Sequence, residues 1–330
     1  MRIVVTGAAG FIGSHLCDRL VSEGHHVIGI DNLAVGRLQN LKQLEKFSKF
    51  EFYETDIRNL SKIETIFTKS DQVVHLAARA DIVPSIENPD EYFTSNVIGT
   101  YNVVKASHAA DVKRFVYIAS SSCYGIPEVY PTPENSRISP QYPYALTKYL
   151  GEEIVMHWAH VYNLSAVSLR LFNVYGPRAR TSGTYGAVFG VFLAQKLAGK
   201  PLTVVGNGEQ TRDFTYISDV VNSIVAALNS TKVDIYNVGS GNTYSVNKLV
   251  NLIGGDIEYI PKRPGEPDST FADIQKINSD LEWRPTISLE SGVSEMLKHI
   301  SDWEDAPIWD SRSISKATET WFKYLGKQDA

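Results

Sequence analysis

The order of apolar runs in this 330-residue chain predicts an α/β fold built on a doubly wound parallel sheet. Three observations carry that prediction. A β-branched run at residues 1–6 breaks into closely spaced glycines and then into a helical pattern. Further short apolar runs at 26–30, 50–57, 72–78 and 114–119 alternate with longer helical stretches. The loops after these runs fall on one sheet edge, where such folds hold ligands.

In chain order, the first run leads into G-A-A-G-F-I-G, from Gly7 to Gly13, and a helix follows through Leu16, Leu20 and Val21. Gly7 lets the chain turn tightly off the strand, Gly10 carries no Cβ to block a pyrophosphate, and Gly13 lets the helix pack on the sheet. The helix start at Phe11 and Ile12 offers free N–H groups to phosphates. The second run ends at Asp31 and Asn32, with Asp31 18 residues beyond Gly13, placed to accept bonds from ribose hydroxyls. A carboxylate there repels a 2′-phosphate, so the pattern favours NAD over NADP. Arg37 reads as a solvated loop residue.

The third run, 50–57, brings Asp56 and Ile57 to the adenine side, with Asp56 equally readable as a helix cap. The fourth, 72–78, ends in Ala77 and Ala78, which leave room for something flat, while His75 reads as a packed core histidine. Leu76 beside the alanines and Asn96, within a long helix over 89–109, complete the candidate cofactor set. The fifth run, 114–119, opens into Ser120, Ser121 and Ser122, which a simple turn would also explain.

A helix from about 144 to 161 carries Tyr144 and Lys148 four apart, on one face. A phenol is a poor base at neutral pH, and a nearby ammonium favours its ionised form. A tyrosine tuned in this way can take and return the proton of a sugar hydroxyl. Alone, Y-x-x-x-K is common on solvated helix faces; its spacing from the glycine turn and the serine strand makes it specific.

Composition bounds the rest. Hydrophobic residues make up 43% and charged residues 21%, as in ordinary globular proteins. A net charge of −5 supplies no footprint for nucleic acid. No apolar run reaches membrane-span length, and the first residues read as a strand rather than a leader. Cys17 and Cys123 are too few for a disulfide framework or a zinc site, so no metal is expected and a reduced, cytoplasmic setting fits.

Taken together, T-G-A-A-G-F-I-G (Thr6–Gly13), D-N-L (Asp31–Leu33), H-L-A-A (His75–Ala78), S-S-S-C-Y-G (Ser120–Gly125), Y-A-L-T-K (Tyr144–Lys148) and R-L-F-N-V-Y-G-P (Arg170–Pro177) resemble the extended short-chain dehydrogenase/reductases. The resemblance is strongest to their nucleotide-sugar branch, the UDP-hexose 4-epimerases, and runs from Met1 to about Tyr324. It implies a Rossmann domain over 1–175 plus about 212–239. A smaller, discontinuous α/β substrate domain would take about 176–211 and 240–330. It implies tightly bound NAD, Tyr144 as acid/base, Lys148 on the nicotinamide ribose and Ser120 on the sugar O4. In this scheme C4 is oxidised, the keto sugar turns, and C4 is reduced on its other face. The dehydratases, and usually the decarboxylases, of this family place a glutamate where Ser122 stands, and without a carboxylate there the ketone can only be reduced again.

In the second half, a strand over 164–172 ends at Asn173, and residues 184–190, including Tyr185, open a helix toward Lys196. Asn173, Arg212, Arg263 and Glu266 resemble the family's nucleotide-sugar and diphosphate contacts, and with Ser121, Ser122 and Tyr185 they are the substrate candidates. Read without the family, Asn173 is a turn residue, Arg212 pairs with Asp213, and Arg263 is solvated in a Pro-Gly turn. By resemblance, small Thr270 and Ala80 leave space for an N-acetyl group, while the unexpected acid at Asp81 counts against a uronate. The expected substrates are UDP-GlcNAc/UDP-GalNAc, with UDP-Glc/UDP-Gal alongside. A lyase on the same scaffold or a silent NAD-binding regulator is the alternative. The helices of 89–109 and 144–161 imply a homodimer by resemblance, and residues 301–330 read as one terminal amphipathic helix on the substrate domain.

Overall fold

The structure is a computed structural model and describes residues 1–179 and 187–326. In chain order the first half runs β1 (Arg2–Thr6), α1 (Phe11–Ser22), β2 (His26–Asp31), β3 (Phe50–Glu54), α2 (Leu60–Phe67), β4 (Gln72–His75), α3 (Ile82–Glu87), α4 (Pro89–Tyr92), a π-helical stretch (Phe93–Ile98), α5 (Gly99–Ala109), β5 (Arg114–Ser120), α6 (Pro143–Tyr162) and β6 (Ala166–Leu171). The second half runs β7 (Asn173–Tyr175), α7 (Val188–Leu197), β8 (Leu202–Val205), β9 (Thr211–Arg212), β10 (Phe214–Tyr216), α8 (Ile217–Asn229), β11 (Asp234–Val238), β12 (Tyr244–Ser245), α9 (Val246–Ile253), β13 (Ile257–Ile260), α10 (Gln275–Leu281), α11 (Leu289–Lys298), α12 (Ser311–Ala317) and α13 (Glu319–Leu325).

Seven parallel strands form the central sheet in the order β11-β6-β5-β4-β1-β2-β3. Its inner strands are mostly apolar because both faces are covered, with Gln72, His75, Arg114, Ser168 and Arg170 among the buried polar exceptions. Along β1, Ile3 and Val5 join a core containing Leu16 and Leu20 of α1 and Val220 and Ile224 of α8. Val4 points the other way, into a core with Ile63 and Phe67 of α2, Val103 and Val104 of α5 and Val155 of α6. The strand order reverses direction at β1 and β4, and the carboxyl ends of those strands frame the ligand crevice of a doubly wound sheet.

A second core lies outside this sheet. Phe189 and Phe192 of α7, Leu202 and Val204 of β8, Leu249 of α9 and Val293 and Met296 of α11 close it around Trp303. The parallel pairs β8–β13 and β7–β10 and the short antiparallel pair β9–β12 belong to this half. No helix among the described residues is long and apolar enough to cross a membrane.

Several expectations need correction. The fourth strand stops at His75, so Leu76, Ala77 and Ala78 are loop; the third stops at Glu54, so Asp56 and Ile57 are loop too. The 89–109 helix is interrupted by the π stretch, which contains Ser95 and Asn96. Asn173 does not end β6 but begins β7 and pairs with Phe214. The end of the chain is not one helix on the second half. It forms α12 and α13, and Trp321 and Leu325 pack with Val83 of α3 and against Tyr142.

Candidate active site

One cavity of about 760 Å³ runs along the carboxyl edge of the sheet and out between the two cores. At its inner end sits the glycine turn. Gly7 has φ +73°, and a Cβ there would meet Ala77 N at 2.8 Å. A Cβ on Gly13 would meet Gly7 O at 2.1 Å, so α1 packs onto the turn only without one. Gly10 differs, since its added Cβ would meet only Gly7 O, at 3.1 Å, and otherwise point into open space. Gly10 caps α1 without any side-chain hydrogen bond, and Phe11 and Ile12 line the cavity with it. A helix start with no side-chain cap, behind a turn of glycines and alanines only, is a fitting cradle for a dinucleotide pyrophosphate.

Asp31 lies at the end of β2 with Oδ2 accepting from Ala9 N at 3.1 Å and Oδ1 from Leu33 N at 2.8 Å. Burial pushes its pKa up, and those backbone N–H groups hold it down. Asn32 donates to Asp56 at 2.8 Å, and Asp56 is held down at about 2 chiefly by its hydrogen bonds from Arg58. Asp56 does not cap α2; Asn59 does, accepting from Lys62 N. Asp31, Asn32, Asp56, Ile57, Leu76, Ala77 and Ala78 all line the cavity. Arg37 is not simply solvated, because it lines the same region and its Nη2 donates to Arg178 O at 3.3 Å.

Asn96 is not brought to the cavity. It is 1% exposed. Its Nδ2 donates to Arg79 O and Thr147 Oγ1, each at 3.0 Å, and its Oδ1 accepts from Arg79 N at 2.8 Å. It fixes the loop after β4 against α6, so its whole hydrogen-bonding capacity is used inside the protein. His75 is likewise internal. Thr100 Oγ1 donates to Asn96 O at 2.6 Å, so it accepts from His75 Nε2 at 2.9 Å. His75 Nδ1 therefore accepts from Thr6 Oγ1 at 2.6 Å. Burial keeps this ring neutral.

Tyr144 and Lys148 project from one face of α6, and both line the cavity with Ser120, Ser121 and Ser122. Ser120 Oγ lies 2.8 Å from Ser122 Oγ and accepts from Ser122 N at 3.2 Å, which fixes the turn after β5. The phenol is not lowered by the chain alone, contrary to expectation. Burial pushes Tyr144 up, the Ser120 hydroxyl pulls it down and the Asp81 charge pushes it up again. Burial also pushes Lys148 down to about 7, opposed by Glu152 one turn further along. Lys148 Nζ sits 4.3 Å from the centre of the Tyr117 ring, whose hydroxyl donates to Lys148 O at 3.0 Å.

Glu152 belongs to a buried network that the sequence reading missed. Arg170 reaches it from β6 with Nη2–Oε1 at 2.5 Å, and Ser168 Oγ donates to it at 2.7 Å. Arg170 Nη1 donates to Tyr124 OH at 2.9 Å, and that hydroxyl donates to Asn237 Oδ1 at 2.7 Å. The network ties α6 to the serine turn and to β11. Arg170 and Ser168 within a largely apolar strand were its visible signals.

At the outer end, Glu266 bridges two arginines. Its Oε1 accepts from Arg263 Nη1 at 2.9 Å, and its Oε2 lies 3.6 Å from Arg212 Nη2. The two guanidiniums are thus held side by side, as a diphosphate requires. Asp213 is not the partner of Arg212; it is buried, accepting from Ser240 N, Ala272 N and Thr215 Oγ1. Thr270 donates to Asn173 Oδ1 at 2.8 Å, and both line the cavity with Ala80 and Asp81. Tyr185 lies outside the described residues. Tyr142, Arg178, Trp309 and Trp321 also line the cavity, and no local motif marked them.

A family model described as GDP-mannose 4,6 dehydratase matches residues 4–296. A putative UDP-glucose 4-epimerase of Methanocaldococcus jannaschii is 37% identical over 309 residues, covering 91% of this chain and 97% of that protein. The structure of a UDP-glucuronic acid 4-epimerase from Bacillus cereus, in complex with UDP-glucuronic acid and NAD, superposes with a TM-score of 0.83 at 35% identity, covering 91% and 99% of the two chains. That of a UDP-N-acetylglucosamine 4-epimerase from Methanobrevibacter ruminantium, in complex with UDP-N-acetylmuramic acid, gives 0.85 at 29% identity, covering 90% and 98%. Matches of this extent, on a cavity with this glycine turn and this tyrosine–lysine pair, mean that the chain belongs to the extended short-chain dehydrogenase/reductases, in their nucleotide-sugar epimerase branch.

Proposed function

We propose that this protein is an NAD-dependent 4-epimerase of UDP-hexoses, taking UDP-GlcNAc/UDP-GalNAc and, alongside them, UDP-Glc/UDP-Gal. One observation carries the reading. Ser120, Tyr144 and Lys148 meet in a single cavity that has the glycine cradle at one end and the Arg212–Glu266–Arg263 bridge at the other.

The cradle, with Asp31, Asn32, Asp56, Ile57, Leu76, Ala77 and Ala78, would hold NAD, and Lys148 its nicotinamide ribose. Bound NAD supplies a reversible two-electron oxidant for the sugar carbon C4. Tyr144 Oη takes the O4 proton and later returns it, and Ser120 Oγ holds that oxygen. Because burial raises the phenol, a positive charge beside it is required for this step; Lys148 supplies it when protonated. The arginine bridge orients the diphosphate, and Asn173 the nucleotide sugar. Ser121 and Ser122 place neutral hydroxyls beside Ser120, so no acid stands there to eliminate water or carbon dioxide. This favours epimerisation over a lyase reaction.

The sugar preference rests on two features. Thr270 and Ala80 present little bulk to the cavity, which leaves room for an acetamido group. Asp81 lines the same cavity and its charge reaches Tyr144, so an anionic uronate meets repulsion there. A homodimer fits the exposed aromatic and aliphatic face of α5 and α6, where Tyr101, Leu146 and Tyr162 are 42–47% exposed and Trp158 packs against Tyr101 and Tyr162.

Purified protein incubated with UDP-GlcNAc and, separately, with UDP-Glc, without added NAD, tests the reading by ion-pair chromatography. A product of unchanged mass from each is expected. Product from UDP-Glc alone removes the Thr270 argument, and no product from either sugar, even with added NAD, contradicts the assignment.

A further inference from the structure

The family model ends at residue 296, and the chain beyond it returns to the cavity. Ala306, Pro307 and Trp309 line the wall beside α7, with Trp309 O accepting from Gln195 Nε2 at 2.7 Å. After α12, the helix α13 brings Trp321, 3% exposed, between three parts of the site. Its Nε1–H donates to Pro264 O at 2.7 Å, inside the Arg263–Glu266 turn. The Arg263 guanidinium lies over its ring, with Cζ 5.6 Å from the ring centre. The ring also packs with Val83 of α3, the helix that follows Asp81, and against Tyr142 at 6.2 Å. Tyr142 in turn lies nearly parallel to Tyr144, at 6.4 Å.

We propose that Trp321 is a substrate-positioning residue, which fixes the Arg263 turn relative to the Tyr142–Tyr144 wall. The arm that carries it is therefore part of the substrate site and not an appendage. The physics is local. The Pro264 carbonyl is held by an indole donor, the Arg263 guanidinium lies over the indole ring, and Val83 of α3 packs with that ring. Arg263 is thus set before the diphosphate arrives, which reduces the ordering cost of binding. A device of this kind acts on affinity for the nucleotide and leaves the proton-transfer groups in place, so its loss raises KM more than it lowers kcat. The inference rests on the reading of Arg212 and Arg263 as the diphosphate contacts.

The test compares wild type, Trp321→Phe and Trp321→Ala by calorimetric titration with UDP, by steady-state kinetics and by NAD content after denaturation. The expected result for Trp321→Ala is a rise of about tenfold in both the UDP Kd and the KM, with kcat within about threefold and NAD content unchanged. Trp321→Phe keeps a ring and loses only the donor, so a rise of about threefold is expected. If the alanine variant does not accumulate as folded protein, the phenylalanine variant decides. An unchanged UDP Kd in a folded variant overturns the proposal, and so does a loss of kcat together with NAD. Wild-type protein that fails to bind UDP at all overturns the diphosphate assignment itself, a separate outcome.

Discussion

Breaking the Glu152–Arg170 pair is expected to unsettle the site from beneath. The two side chains are only 1% and 4% exposed and lie 2.5 Å apart, so neither charge has water as a substitute partner. Burial works against the Arg170 charge, but Glu152 outweighs it and holds the guanidinium above its ordinary value. Glu152→Met leaves that guanidinium buried with only Tyr124 OH and Glu134 O as acceptors. Arg170→Met leaves a buried carboxylate with Ser168 as its donor. Each single variant should cost about 3–5 kcal/mol. Unfolding entropy of about 2.1 cal/mol/K per residue gives about 0.7 kcal/mol/K for this chain, so each should lower Tm by about 4–7 °C. The double variant removes both charges at once and should fall well short of the sum of the singles. Melting curves of the four proteins form the cycle. Additive losses, or single variants that melt with the wild type, would refute the claim that this pair is a coupled, fully desolvated unit.

Three further outcomes follow from the site. Tyr144→Phe should lose about a hundredfold or more of epimerase activity while keeping its NAD; unchanged activity would remove the phenol from the mechanism. Lys148 should be acylated by an amine reagent with a midpoint near pH 7 in NAD-stripped protein, unreactive below it where the amine is charged and reactive above it; a midpoint near that of an ordinary lysine contradicts the effect of burial. Thr270→Tyr should abolish turnover of UDP-GlcNAc and spare UDP-Glc, as read from the two rates side by side, since the larger ring would enter the space left beside Asn173.

Much of the scaffold was legible because its signals are local. Strands covered on both faces show as unbroken apolar runs, which is why β1, β2, β4 and β5 could be read directly. The glycine turn is visible because backbone clearance restricts Gly7 and Gly13 to one residue type. Tyr144 and Lys148 are visible because four residues make about one helical turn. What could not be read depends on where distant segments meet. Nothing local in Asn96 says that Arg79 and Thr147 will consume its amide, nor in Arg37 that it will reach the Arg178 carbonyl. Asp56 read equally as an adenine-side residue and as a helix cap, and it is Asn59 that caps α2. Residues 301–330 read as one helix on the second half, because the partners of Trp321, Val83 and Pro264, lie 238 and 57 residues away.

The most direct test of the central claim follows the hydrogen on C4. Wild-type protein, without added NAD, is given UDP-Glc and UDP-GlcNAc in deuterated water, and the epimers are analysed by mass spectrometry and NMR. Oxidation and reduction by the same bound cofactor predicts epimers with no deuterium on carbon. Deuterium at C4, or a product lacking the mass of water or carbon dioxide, would contradict the account.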